Sequence, residues 1–383
     1  MSSPTPSEDS GFHVVVVGGG VAALETVLAL KDLAGERLAI TVLAPNEDFV
    51  YRPMTVVEPF AYAAARRYRL APIMHELGVE LIAEKLGWVD RARQVVHTSE
   101  DREVHYDALV LALGAQPYAR YRHAITIDDR RMDETLHGVI QDIEAGYLDS
   151  IAFLSPGRMA WQLPLYELAL MTAGRAYDAD ANVEITVITP EDSPLAIFGA
   201  EASAHVQALL EKAGVKTINS AYAEVPEPGE IVINPGDRRL HAKRVVALPE
   251  LYGPSVRGVP VSEHGFLRVN RFGRVLDAGP IFAAGDAVDF PIKHGGLSTQ
   301  QADAAAESIA ALAGVEIEPQ PFSPVIHGML LTDGKPQYLT AKITGGQGFS
   351  SEFSDSPSWD VGEKIAARYL APFLAAHKAG EEA

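Results

Sequence analysis

His13-Val14-Val15-Val16-Val17-Gly18-Gly19-Gly20-Val21-Ala22-Ala23 is the stretch on which the fold turns. Four valines in a row, with no polar alternation, read as a strand buried on both faces, as in a parallel sheet. The strand runs into glycines, and Val21 to Leu33 has helical composition and spacing. Ile40-Thr41-Val42-Leu43 reads as a second short strand, which completes a unit of about thirty residues, the length of one βαβ element. Gly18-x-Gly20-x-x-Ala23 therefore fits a dinucleotide-binding turn. Gly18 permits the tight turn and Gly20 lets the backbone approach a pyrophosphate. Ala23 keeps helix and strand close, while Val21 and Ala22 open the helix whose free N–H groups would meet the phosphates. The acid expected on the ribose is missing where the second strand ends. Ala44-Pro45 stand there, so the ribose contact falls to backbone or to Glu47, the nearest carboxylate.

The middle of the chain repeats the theme. Asp149 to Leu154 reads as a strand, Leu165 to Ala173 as a helix and Val183 to Ile188 as another strand, but the turn between the first two holds only Ser155-Pro156-Gly157. Ala108 to Ala112 and Val245 to Leu248 are further buried strands. An Ala-rich helix of high intrinsic propensity is expected over Ala302 to Leu312. Beyond Pro319, Pro321 and Pro324 the composition shifts towards Gly, Ser and Thr, which suggests a small terminal unit. A last helix is expected over Glu363 to Ala376, interrupted by Pro372, with Ile365, Tyr369 and Phe373 on one apolar stripe. Residues 1 to 11 read as a polar tail.

Composition narrows the function. The 383 residues predict two or three domains, and 32 Lys+Arg against 51 Asp+Glu give a net charge of −19. Such a chain lacks the basic face that nucleic acid requires, so no nucleic-acid partner is expected. There is no cysteine. That excludes disulfide scaffolds, iron–sulfur clusters, thiol nucleophiles and redox-active dithiols, and leaves any redox chemistry to a bound cofactor. The 12 histidines show no metal spacing, so no metal site is expected. With no apolar leader and no run of about 18 apolar residues, a cytoplasmic protein is expected.

Two later segments give the cofactor. Tyr106-Asp107-Ala108-Leu109-Val110-Leu111-Ala112-Leu113-Gly114 and Ile281-Phe282-Ala283-Ala284-Gly285-Asp286 resemble two elements of the pyridine nucleotide-disulfide oxidoreductase superfamily, the flavoproteins with two dinucleotide folds. The resemblance spans residues 13 to 315 and implies FAD. It implies an α/β fold of two Rossmann-like, three-layer domains with one inserted in the other: residues 11–118 and 250–315 for FAD, and 119–249 as a second nucleotide-binding-like domain. A C-terminal interface unit, 316–383, and a homo-oligomer would complete it. Asp286 is then expected at the ribityl chain and pyrophosphate, with Gly285, Arg52, Leu86, Ala112 and Gly114 also at the cofactor.

Within the superfamily the chain is most similar to the branch of sulfide:quinone oxidoreductases, flavocytochrome c sulfide dehydrogenases and type II NADH dehydrogenases. Phe49-Val50-Tyr51-Arg52-Pro53 resembles their aromatic loop beside the flavin. The stretch from Pro190-Glu191 to Phe198-Gly199, and the run Pro291-Ile292-Lys293-His294-Gly295-Gly296 with Gln300-Gln301, resemble two further elements. Lys293 and Gly296, at the start of the Ala-rich helix, would add positive potential where reduction places negative charge on the flavin. Sulfide oxidation in that branch uses cysteines, so that mechanism is excluded.

The second turn, Ser155 to Glu167, departs from GxGxxG. Pro156, Met159 and Trp161 would obstruct a pyrophosphate, which makes NAD(P)H an uncertain donor. Trp161 either shields the flavin or a quinone-like ring, or fills a domain interface. Glu167 either relays protons to the flavin or to substrate, or is a surface or capping residue. Arg158 either binds a phosphate or is solvated. The expected function is an FAD-dependent oxidoreductase passing electrons from a small-molecule donor, NAD(P)H among the candidates, to a quinone or other small acceptor. The other reading is a flavin-holding electron carrier that acts through a protein partner. The terminal helix is expected to dock on the protein rather than on a membrane.

Overall fold

The computed structural model describes residues 11–61, 64–157, 161–344, 348–359 and 363–381. Its first sheet is parallel, in the order Ile281–Ala283, Ala108–Leu111, Phe12–Val17, Leu38–Leu43, Glu80–Ile82. The valine run is its centre. Val14 and Val16 pack on one face, against helices α1 (Val21–Ala34) and α6 (Gly295–Leu312). Val15 and Val17 pack on the other face, towards the small antiparallel sheet of Leu86–Asp90, Val95–Thr98 and Glu103–His105. Burial of both faces explains why the strand shows no alternation. Helix α2 (Leu70–Glu76) leads into the last strand.

The second sheet has the same plan, in the order Ile125–Thr126, Arg244–Ala247, Ser150–Leu154, Glu184–Ile188, Lys216–Ile218, again parallel. It carries helices α3 (Met132–Glu144), α4 (Leu163–Asp178) and α5 (Ala200–Lys212), and its own three-stranded antiparallel sheet over Tyr222–His241. The chain crosses between the two units on an antiparallel pair, Gln116–Tyr118 with Glu250–Tyr252. The fold is thus α/β with two Rossmann-like units. A third, antiparallel sheet of Val325–Leu330, Gln337–Thr344 and Gly348–Ser354 packs on α4 and α5.

Two helix boundaries differ from the sequence expectation. α6 begins at Gly295 rather than Ala302. Its first turn is poor in propensity but buried, and the Ser298 and Thr299 hydroxyls bond back to the carbonyls of His294 and Gly296. The last helix, α7, spans Leu370–Glu381 and not Glu363–Ala376. The Glu25 carboxylate on α1 receives the N–H groups of Tyr369 and Leu370 at 3.0 and 2.6 Å, which fixes the start there. Pro372 sits in the first turn, where no intrahelical donor is needed, so it does not break the helix. Residues 363–367 run instead as an irregular strap with Lys364 and Ile365 buried, and Leu370, Ala371 and Leu374 of α7 face the protein.

Glu25 shares its interior with Asp303 on α6, whose Oδ1 is buried with no partner among the described residues. Burial and then the charge of Glu25 push Asp303 up to about 8, while Arg368 opposes. The folded chain therefore holds this proton more tightly than the unfolded one, in which Asp titrates near ~4. The stabilisation is complete below the unfolded value and is lost as pH rises towards about 8. Thermal midpoints should fall over that window, and Asp303→Asn should flatten the slope in melts at constant ionic strength. A slope unchanged in Asp303→Asn would disprove the assignment.

Candidate functional site

The site grows from the end of the first strand. Gly18 has φ +134°, and a Cβ there would lie 2.2 Å from the Ala112 carbonyl oxygen, so the turn admits only glycine. The N–H of Gly18 donates to the Leu43 carbonyl and that of Ala112 to the Val17 carbonyl, both at 2.9 Å, pinning three strand ends together. Beyond them Gly20 caps α1 with no side-chain cap, no acid follows in the first turn, and nothing lies within 4 Å of where its Cβ would be. Free N–H groups thus face open space, the arrangement that holds a diphosphate. Val21 is half-buried, while Ala22 and Ala23 pack into the core. Gly114, just past the Ala112 strand end, has φ +71°.

The late Gly-Asp element arrives at the same place. A Cβ on Gly285 would sit 3.0 Å from the Ala22 methyl and 3.4 Å from the Ser298 Oγ. Its N–H donates to Gln301 Oε1 at 2.8 Å. Burial raises the Asp286 carboxyl; the charges of Lys293 and Arg52 and a hydrogen bond from Ser298 oppose this, and Asp129 adds to it. Arg52 itself is exposed and 3.4 Å from Asp129. The glycine turn, the Gly-Asp turn and the amino end of α6 converge on one cradle. Their glycines and free backbone donors fit a flavin dinucleotide.

Other expected residues lie around this cradle in different states. Glu47 is exposed and paired with Arg69 at 3.2 Å. Leu86 is half-buried at the start of its strand. Lys293 is not a solvated loop residue: it is 5% exposed, its Nζ donates to the Val288 carbonyl, and it lies 4.0 Å over the Phe266 ring. Burial lowers it to about 8, against the pull of Asp286 and Asp289. Gly296 lies in the first turn of α6, against the His294 ring.

Glu167 is wholly buried on α4 and carries Lys364 of the strap, with Nζ 2.7 and 2.8 Å from its two oxygens. Lys364 also donates to the Pro53 carbonyl at 2.8 Å, and the Leu331 N–H donates to Glu167 at 2.9 Å. Burial lifts the carboxyl and lowers the ammonium, and each charge resists the shift of the other. The next residue, Ile365, donates its N–H to the Tyr51 hydroxyl at 2.8 Å. The strap is thereby tied to the aromatic loop Tyr51-Arg52-Pro53. Lys364 escaped the sequence reading because 197 residues separate it from Glu167. His294 was legible only as part of a motif, although it lies 4.6 Å from Trp161.

The second nucleotide-like turn is crowded. A Cβ on Gly157 would meet Pro190 at 2.8 Å and Tyr222 at 3.1 Å. Glu191, just past the strand Glu184–Ile188, accepts the Tyr166 hydroxyl at 2.6 Å and is pushed up to about 7 by burial. Arg158, with Met159 and Ala160, lies outside the described residues. Trp161 is half-buried against Phe198, with ring centroids 5.9 Å apart.

A family model described as pyridine nucleotide-disulphide oxidoreductase matches residues 12–135 and 167–308. The chain belongs to that family. It is similar to the sulfide-quinone reductase of Aquifex aeolicus (strain VF5), 26% identical over 267 residues that cover 64% of this chain and 60% of that protein. It is also similar to the nitric oxide reductase FlRd-NAD(+) reductase of Aeromonas hydrophila subsp. hydrophila, 27% identical over 225 residues, 56% of this chain and 53% of that one. Both matches therefore span less than two thirds of the relative's length. The solved sulfide:quinone oxidoreductase of the hyperthermophilic bacterium Aquifex aeolicus superposes with a TM-score of 0.78 at 22% identity, covering 96% of this chain and 89% of that one. An NAD-dependent persulfide reductase from A. fulgidus gives 0.62 at 20% identity, over 88% and 65%. At these identities the superpositions establish the fold. No described helix is long and apolar enough to cross a membrane.

Proposed function

We propose that this flavoprotein passes electrons to a quinone or similar planar acceptor at the Trp161 face, without redox cysteines, and that NAD(P)H is not its donor. The observation that carries the second part is the state of the second nucleotide-like crevice. Its strand-end acids, Glu191 and Asp192, are engaged by the hydroxyls of Tyr166 and Ser220, and Gly157 is hemmed in by Pro190 and Tyr222. Among the described residues, neither a free ribose acceptor nor a bare glycine turn remains for a second dinucleotide. The similarity to a sulfide-quinone reductase supports a quinone-type acceptor, and the absence of cysteine separates the chain from thiol-based sulfide oxidation.

Gly18, Gly20, Val21, Ala22, Ala23, Gly285 and Asp286 would hold FAD, which supplies a centre able to take a hydride or single electrons. The chain's own residues do the rest. The free donors of α1 would bind the diphosphate, and Asp286, next to Ser298, would receive hydroxyls of the ribityl chain. Lys293, behind that turn, places positive charge near it. The Glu167–Lys364 pair holds the aromatic loop and the strap together. Anaerobic stopped-flow mixing with millimolar NADH and NADPH is expected to leave the flavin band unbleached, while dithionite reduces it. Full bleaching within seconds by either nucleotide would overturn the donor assignment.

A further inference from the structure

The strap rests on the cofactor cradle itself. A Cβ on Gly295 would stand 2.9 Å from the Ile365 Cδ1, so the strap lies against the first residue of α6. Thr299 of the same helix donates its hydroxyl to the Ala366 carbonyl at 3.2 Å. Lys364 and Ile365 hold the aromatic loop at Pro53 and Tyr51. One segment thus bridges that loop and the amino end of α6.

Its far end is fastened differently. The wholly buried Glu25 carboxylate receives the N–H groups of Tyr369 and Leu370, and Asp303 of α6 lies within hydrogen-bonding reach of it. Two carboxyl groups bond each other only through a proton that one of them carries. No other donor reaches Asp303 Oδ1 among the described residues, so the fastening has a proton built into it. The charged groups around the pair are Arg368 of the strap, Glu307 of α6 and Asp32 of α1, with the Tyr369 hydroxyl beside them. Only Arg368 is positive, and Glu307 shares it at 3.6 Å. Loss of the proton leaves two carboxylates in contact in the interior, where like charges repel strongly. Their way to water is through the strap, since Arg368 is exposed and Tyr369 half-buried.

We propose that the strap retains the flavin nucleotide, and that the Glu25–Asp303 pair is the clasp that frees it when their shared proton is lost. This rests on the reading of the cradle as an FAD site and adds a control to it. Asp303 titrates at about 8. Below that value the strap stays down; above it the two carboxylates part and the end of the strap lifts from α1.

Two measurements on the FAD-loaded full chain test it: release of FAD after dilution, read by free-flavin fluorescence, and hydrogen exchange of the strap, corrected for its intrinsic pH dependence. Between about pH 7 and 9 the ionised fraction of a group titrating at about 8 rises about tenfold, so release should quicken about tenfold. The amides of residues 364–370 should lose protection in step, while the strand Ser150–Leu154 keeps its own. Asp303→Asn, whose amide donates to Glu25 without titrating, should hold both readouts within about twofold across the window. Should that variant fail to fold, Glu25→Gln, which donates to Asp303 in the same way, should be equally flat. Release independent of pH overturns the proposal, as does equal quickening in the amide variant. Strap opening without faster release overturns it too, because the strap would then retain nothing. So does loss of protection in Ser150–Leu154 alongside the strap, which marks general loosening. A wild-type chain that takes up no FAD at either pH would instead overturn the cradle reading on which the proposal rests.

Discussion

Gly18→Ala should emerge colourless. The substituted Cβ would stand 2.2 Å from the Ala112 carbonyl oxygen in a backbone at φ +134°. The obstacle is main chain, so no side-chain rotation relieves it. Relief requires the strand ends at Val17, Leu43 and Ala112 to separate, and these position the free donors of α1. Left-handed strain of about 1–3 kcal/mol adds to the clash. Flavin content, read from the ratio of visible to ultraviolet absorbance, should fall by more than tenfold, and the melting temperature should fall with it. Gly20→Ala is the matched control. At φ −100° with nothing within 4 Å, it should fold as well as the wild type and weaken only the approach of the diphosphate. Gly18→Ala retaining full flavin would refute the cradle.

The second large effect is expected at Lys364. Removing its ammonium by Lys364→Met leaves Glu167, fully buried, without its counter-charge. Breaking a buried pair in this way costs about 3–5 kcal/mol, whereas replacing both partners with neutral groups is often tolerated. Denaturant melts should therefore show Lys364→Met as the weaker protein and Glu167→Gln/Lys364→Met as substantially recovered. In the single variant Glu167 must be protonated to remain inside. Its folded-state value then lies above the unfolded one, and the loss should deepen as pH rises. Equal stabilities of the single and double variants would show that the pair is not energetically coupled.

What the sequence disclosed, and what it hid, follows from range. The valine strand, the glycine turn and the Gly-Asp element were legible because each carries its chemistry within a few consecutive residues. Local sequence marked Ser155 to Glu167 as a departure from a glycine turn through Pro156, Met159 and Trp161, whereas the crowding seen at Gly157 comes from Pro190 and Tyr222, which are distant in sequence. The partners of Glu167 and Glu25 were invisible, because Lys364 and Tyr369 approach from 197 and 344 residues away. Helix boundaries failed for a related reason. Propensity places the Ala-rich helix at Ala302, but burial and the Ser298 and Thr299 hydroxyls carry it back through two glycines. The start of the last helix is set by a carboxylate on the first, which no window of local sequence contains.

The strap has a bearing on how the molecule is made. Lys364 answers Pro53 across 311 residues, and Leu370 answers Glu25 across 345. During vectorial synthesis the amino-terminal βαβ unit emerges long before the groups that close over it. Contacts of such high order form late and slowly. Until they form, the buried carboxylates on α1 and α4 lack their native partners, and the nascent chain must remain open at that seam. The elements of the cradle are all made by Leu312, so it can assemble before the strap arrives, whereas sealing of the seam waits for residues 364–370.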